Sequence, residues 1–97
     1  MGFWPHECGI ERSLRQSLGN ALVTADRLDD AILQFRAGLR LAPNDPQMMS
    51  RLALTLAASG DVNESLPLFR RALQLAPNDP DVQQMYAAAM AQWRVRH

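Results

Sequence analysis

His6-Glu7-Cys8 is the densest run of chemistry-bearing side chains in the sequence: an imidazole, a carboxylate and a thiol side by side. Two chemistries could use them. A structural zinc site needs four ligands, but Cys8 is the sole cysteine and His97, the second of two histidines, is remote in sequence. A nucleophilic thiolate needs a positioned base and an activating environment, and no nucleophile motif surrounds Cys8. A phosphate-cradling glycine loop and paired catalytic carboxylates are also missing. The expectation is a non-enzyme that holds no metal and needs no cofactor. Met48, Met49, Met85 and Met90 sit at helical spacing and read as core filler. Trp93 is expected to pack on the preceding helices or on a neighbouring chain.

Composition narrows the partners. A chain of 97 residues fits one small domain with a thin stability margin. Apolar residues make up 47% and aromatic ones 6%, so the core must be built mainly from Leu and Ala. Ten basic residues, all arginine, balance ten acidic ones. Neutrality without a basic stripe argues against nucleic acid; Arg70-Arg71 and the tail pair Arg94 and Arg96 are the nearest approach to a cluster. One cysteine excludes an internal disulfide framework. No apolar run reaches the roughly 18 residues of a membrane-spanning helix, and the N-terminus does not read as a secretory signal. Gly2 follows Met1, but His6 stands where a myristoylation signal wants Ser or Thr. A cytoplasmic protein, or a domain of a longer one, is expected.

The elements that would position any functional side chain come from an internal repeat. Leu41-Ala42-Pro43-Asn44-Asp45-Pro46 recurs unchanged as Leu75-Ala76-Pro77-Asn78-Asp79-Pro80, an offset of 34 residues. The same offset pairs Leu18 with Leu52, Leu22 with Leu56, Phe35 with Phe69, Arg36 with Arg70 and Leu39 with Leu73, and more loosely Leu14 with Met48. The organisation is therefore an irregular segment 1–11, a repeat over 12–45, a second over 46–79, and a partial third over 80–97 that closes the array.

Each repeat divides into two helices. Met48, Met49, Leu52, Ala53 and Leu56 follow the i, i+3, i+4 spacing of one apolar face. Gly60 breaks that run, and Asp61 with Glu64 reads as a capping box for the next helix. Leu66, Phe69, Ala72, Leu73 and Leu75 form the next inner face. Pro46 and Pro80, each after Asp, suit the first helical position, where the missing N–H would have no partner. The spacing predicts helices at about 10–25, 28–41, 46–59, 62–75 and 80–95. Pro67 predicts a local bend without a break. In the first repeat Asp26 and Arg27 replace Gly60 and Asp61, so either Asp26 caps a helix or the turn is weaker; Gly38 for Ala72 suggests a close helix approach. In the last helix Val82, Tyr86, Ala87 and Met90 are expected to face inward, with Gln83, Gln92, Arg94 and Arg96 outward.

A helix-turn-helix unit of this length resembles the bacterial type of tetratricopeptide repeat. The resemblance covers residues 12–97. Leu18-Gly19, Leu22, Ala31, Phe35 and Pro43 match the signature in the first repeat, and Leu52-Ala53, Leu56, Ser65, Phe69, Ala72 and Pro77 in the second. Tyr86-Ala87 and Met90 match its first helix only. Arg15, Gly38 and Ser65 depart from it. The resemblance implies an all-α superhelix of stacked antiparallel helical hairpins with a C-terminal capping helix.

It also implies a protein-interaction scaffold whose first helices line a concave groove for a peptide or protein partner. Mapped residue by residue, the groove candidates are Gln16, Asn20, Ser50, Arg51, Leu54 and Gln84, within a wider lining of Ser13, Ser17, Val23, Thr24, Gln47, Ala57, Ala58, Asp81, Met85, Ala88 and Gln92. Arg51 could grip a carboxylate with two prongs, and Asn20 could bond a peptide backbone as donor and acceptor. The basic clamp of chaperone-binding members is not reproduced, because the groove holds no lysine and one arginine. Two other readings stay open. One is self-assembly as a homodimer through the N-terminal end, where Phe3, Trp4, Ile10 and Leu14 cluster. The other is an accessory repeat domain of a larger bacterial protein such as a transferase.

Overall fold

The computed structural model describes the backbone of residues 5–96 and the side chains of residues 13–92 and 94. Five helices follow one another: α1 (Pro5–Thr24), α2 (Leu28–Leu41), α3 (Pro46–Ala58), α4 (Val62–Leu75) and α5 (Pro80–Arg96). The described residues contain no strand. α1 pairs with α2 and α3 with α4 as hairpins, while α2 packs on α3 and α5 closes against α3 and α4. The shortest dimension of 19 Å matches two layers of helices, each about 10 Å thick. First helices (α1, α3, α5) form one layer and second helices (α2, α4) the other. This is the all-α stacked-hairpin superhelix expected.

The local chemistry fixes the helix ends. Asp45 accepts from the backbone N–H groups of Gln47 (3.1 Å) and Met48 (3.3 Å), with Pro46 at the first helical position. Asp79 repeats the device by accepting from the Asp81 N–H at 2.9 Å. Asp61 accepts from the Glu64 N–H at 3.1 Å, so half of the expected capping box is present; the Glu64 carboxylate goes instead to Arg36, 2.6 Å away on α2. Gly60 closes α3 with φ of 102°. Asp26 takes the same left-handed role at φ 62°, and the Arg27 N–H reaches back to the Leu22 carbonyl as the Asp61 N–H reaches Leu56. Asp26 is therefore the closing residue of α1 and not a cap. Arg27 precedes α2 with no side-chain capping bond.

Two phenylalanines anchor the interior. Phe35 (1% exposed) lies with Ala31, Met48, Leu52 and Leu56. Phe69 (0%) lies with Ala53, Ala57 and Ala89 and meets the Tyr86 ring edge-on at 5.4 Å between centroids. A third cluster joins Met49, Ala72 and Val82. Small residues set the helix spacing: a Cβ on Gly19 would stand 2.6 Å from the Phe35 ring, and one on Gly38 would stand 2.6 Å from Cε of Met48. The close approach expected at Gly38 is met.

Several expectations are corrected. α1 starts at Pro5, so residues 5–11 are helical and not irregular; proline's fixed φ is pre-organised for a first helical position. The expectation that Pro67 would not break its helix is met: Pro67 sits inside an unbroken α4. Leu14, assigned to an apolar patch at the N-terminal end, is 64% exposed and Leu18 46%, whereas their repeat equivalents Met48 and Leu52 are buried. The reason is positional: α2 covers that side of α3, and no described helix covers it on α1. Leu75, at the end of α4, is 44% exposed. On α5, Ala87 points outward and Ala89 takes the buried place. The expectations for Phe3, Trp4, Cys8, Ile10, Trp93 and Arg96 fall on side chains outside the described residues.

Candidate functional site

The layer of first helices encloses an open cavity of about 580 Å³. Its lining repeats with the sequence offset. Asn20 on α1, Leu54 on α3 and Ala88 on α5 occupy one equivalent position, and Thr24, Ala58 and Gln92 occupy the next turn. Each helix thus presents the same stripe, and stacking turns three stripes into one surface. Val23, Leu54, Ala58, Met85 and Ala88 supply an apolar wall. Arg51, Asp81, Gln84 and Asn20 supply the polar contacts. A cavity of this size and mixed lining is of the kind that holds small ligands or short peptide segments.

Arg51 is the cation of that lining. Its Nη1 donates to the Asn20 side-chain oxygen at 3.1 Å, tying α3 to α1. Its Nε is buried and has no hydrogen-bond partner among the described residues. A buried guanidinium N–H without an acceptor is costly, about 1–3 kcal/mol, so the group is disposed toward an anion or carbonyl brought from outside. The backbone beneath is braced: Thr55 Oγ1 donates to the Arg51 carbonyl at 2.8 Å, and Thr24 Oγ1 to the Asn20 carbonyl at 3.1 Å. Asp81, on α5, accepts from Gln47 Nε2 at 3.3 Å. The lining therefore holds one cation and one carboxylate beside an apolar strip.

Of the six groove candidates, Asn20, Arg51, Leu54 and Gln84 meet in this cavity. Ser50 does not: it is fully buried, and its hydroxyl donates to the Pro46 carbonyl at 2.8 Å. α3 is packed by α2, α4 and α5, so a position that is exposed at Gln84 on the terminal helix is covered in the middle of the stack. Gln16 is half-buried and lies outside the cavity lining. Of the wider lining, Ala57 is buried in the Phe69 cluster. Two lining residues were missed by sequence reasoning. Thr55 is legible only as a polar residue beside Arg51, and Phe35 reaches the cavity from α2 because Gly19 leaves room for its ring.

Among the described residues no three His, Cys, Asp or Glu side chains gather as a metal site, and no helix is long and apolar enough to cross a membrane. Residues 17–80 match the family model described as tetratricopeptide repeat. No curated protein matches the chain.

Proposed function

Since this chain belongs to the tetratricopeptide repeat family, we propose that it is an interaction scaffold that holds a peptide segment of a partner protein along the surface of α1, α3 and α5. Repeats of this family generally mediate protein–protein interaction and are typically not catalytic. The observation that carries the reading is the alignment of equivalent positions 20, 54 and 88 into one cavity beside the unsatisfied Nε of Arg51. The apolar strip takes an apolar side chain of the peptide. Arg51 takes a carboxylate or a backbone carbonyl, and the Asn20 amide nitrogen, left over once its oxygen has accepted from Arg51, donates to the peptide backbone. Arg51→Ala with Asn20→Ala should weaken partner binding about tenfold or more while the melting temperature moves little. Unaltered affinity moves the site off this surface.

A second reading, self-assembly through α1, has its own observation. Leu14 and Leu18 are bare at positions where Met48 and Leu52 are covered by α2. Light scattering coupled to size exclusion tests it: a monomer at tens of micromolar removes this reading, and a dimer lost on Leu14→Gln with Leu18→Gln supports it.

A further inference from the structure

The side of the molecule away from the first-helix groove carries half-hidden chemistry of its own. Arg70 and Arg71 adjoin in sequence, and the fold brings Arg36 and Arg40 of α2 to the same surface. One hollow of about 440 Å³ is edged by Arg36, Arg40 and Arg71, over a floor of Leu39, Met49 and Leu68. A second, of about 530 Å³, is edged by Arg70 and Arg71 beside Pro67 and Leu75. Arg71 belongs to both, so the two form one continuous surface across α2 and α4. Neither lining contains an acidic residue. All four arginines are exposed.

Their own partners leave most of that charge unspent. Arg36 pairs with Glu64 at the rim. Arg71 donates to the neutral Asn44 amide at 3.2 Å, which orients it without cancelling it. Arg40 and Arg70 have no ion pair or hydrogen bond among the described residues. In a chain of zero formal charge, four of the ten arginines are thus gathered on one face. Arg36 and Arg40 lie one helical turn apart, about 6 Å along α2, a spacing that successive acidic side chains of a peptide can meet.

We propose that this α2/α4 face is a second interaction surface, separate from the first-helix groove, for an acidic protein segment that carries apolar side chains between its carboxylates. Carboxylates meet the guanidinium groups, and the apolar side chains enter the hollows over Leu39, Met49 and Leu68. The floor decides against the other anionic classes. Single-stranded nucleic acid calls for aromatic stacking platforms, and neither hollow has an aromatic lining residue. A lipid surface favours apolar side chains that protrude into it, and here the apolar atoms of Leu39, Met49 and Leu68 are recessed between helices.

The test uses the whole chain and fluorescent synthetic peptides in which glutamate alternates with leucine. The controls are the glutamine–leucine analogue, oligothymidine, and vesicles containing phosphatidylserine. The glutamate–leucine peptide should bind most tightly, with affinity falling as salt rises. Arg40→Gln with Arg71→Gln should weaken it about tenfold, with unchanged circular dichroism, while Arg94→Gln, at an exposed position on α5, leaves it unaltered. Equal binding of the glutamine analogue, an unaffected double variant, or tighter binding of oligothymidine or vesicles through the same arginines overturns the proposal. Because Arg51 is confined to the other face, failure here leaves the groove reading standing, and the reverse holds too.

Discussion

Replacing Phe69 by alanine should remove a large share of the stability of this domain. The ring is 0% exposed among Ala53, Ala57 and Ala89, with Leu54, Leu68, Met85 and Tyr86 packed against that cluster. The edge contact with Tyr86 at 5.4 Å is lost as well. Phe→Ala changes in cores cost about 3–5 kcal/mol, and that is the expectation here. A domain of this size has roughly 5–15 kcal/mol in all. The melting temperature should fall by about 15 °C or more, and a margin of about 5 kcal/mol leaves the variant largely unfolded at room temperature. Phe35→Ala should cost a comparable amount, about 3–5 kcal/mol, since a methionine lies beside each ring, Met48 here and Met85 there. Urea and thermal unfolding followed by far-ultraviolet circular dichroism measure both, with Leu33→Ala at a 63% exposed position as the control. A loss under about 1 kcal/mol at Phe69, or an equal loss at Leu33, would refute the assigned packing.

Other outcomes follow from the helix ends and the groove. Asp45→Ala removes the acceptor for two backbone N–H groups and should cost about 1–2 kcal/mol in the same unfolding assay. Gly60→Ala places a side chain at φ 102° and should destabilise by roughly 1 kcal/mol or more, whereas Asp26→Gly relieves the same left-handed conformation in the first repeat and should be neutral or stabilising. Arg51→Lys keeps the charge but loses the planar fork; it should lower peptide affinity almost as far as Arg51→Ala, measured by fluorescence anisotropy.

Much of the fold was legible because the 34-residue offset and its punctuation carry their own physics. Asn-Asp-Pro predicted the first helical residue, and α2 and α4 begin and end where apolar periodicity places them. What periodicity does not carry is which side of a helix receives a neighbour. Leu14 and Leu18 have the pattern of core residues and lack the covering helix, and Ser50 has the pattern of a groove residue and is covered by packing around α3. Four of the groove candidates, Asn20, Arg51, Leu54 and Gln84, lie where the stripes of successive first helices meet. Their chemistry was readable from type. The bond between Arg51 and Asn20, and the arginine surface joined across α2 and α4, depend on tertiary geometry and had no sequence signal beyond Arg70-Arg71.

The central claim, that a peptide lies along the first helices, is tested most directly by amide chemical-shift mapping on the isotope-labelled chain with a peptide selected from a random display library. The account predicts shifts concentrated at Asn20, Thr24, Leu54, Ala58, Ala88 and Gln92, lost together in the Arg51→Ala, Asn20→Ala variant. Shifts confined to α2 and α4, or spread evenly over the surface, would contradict it.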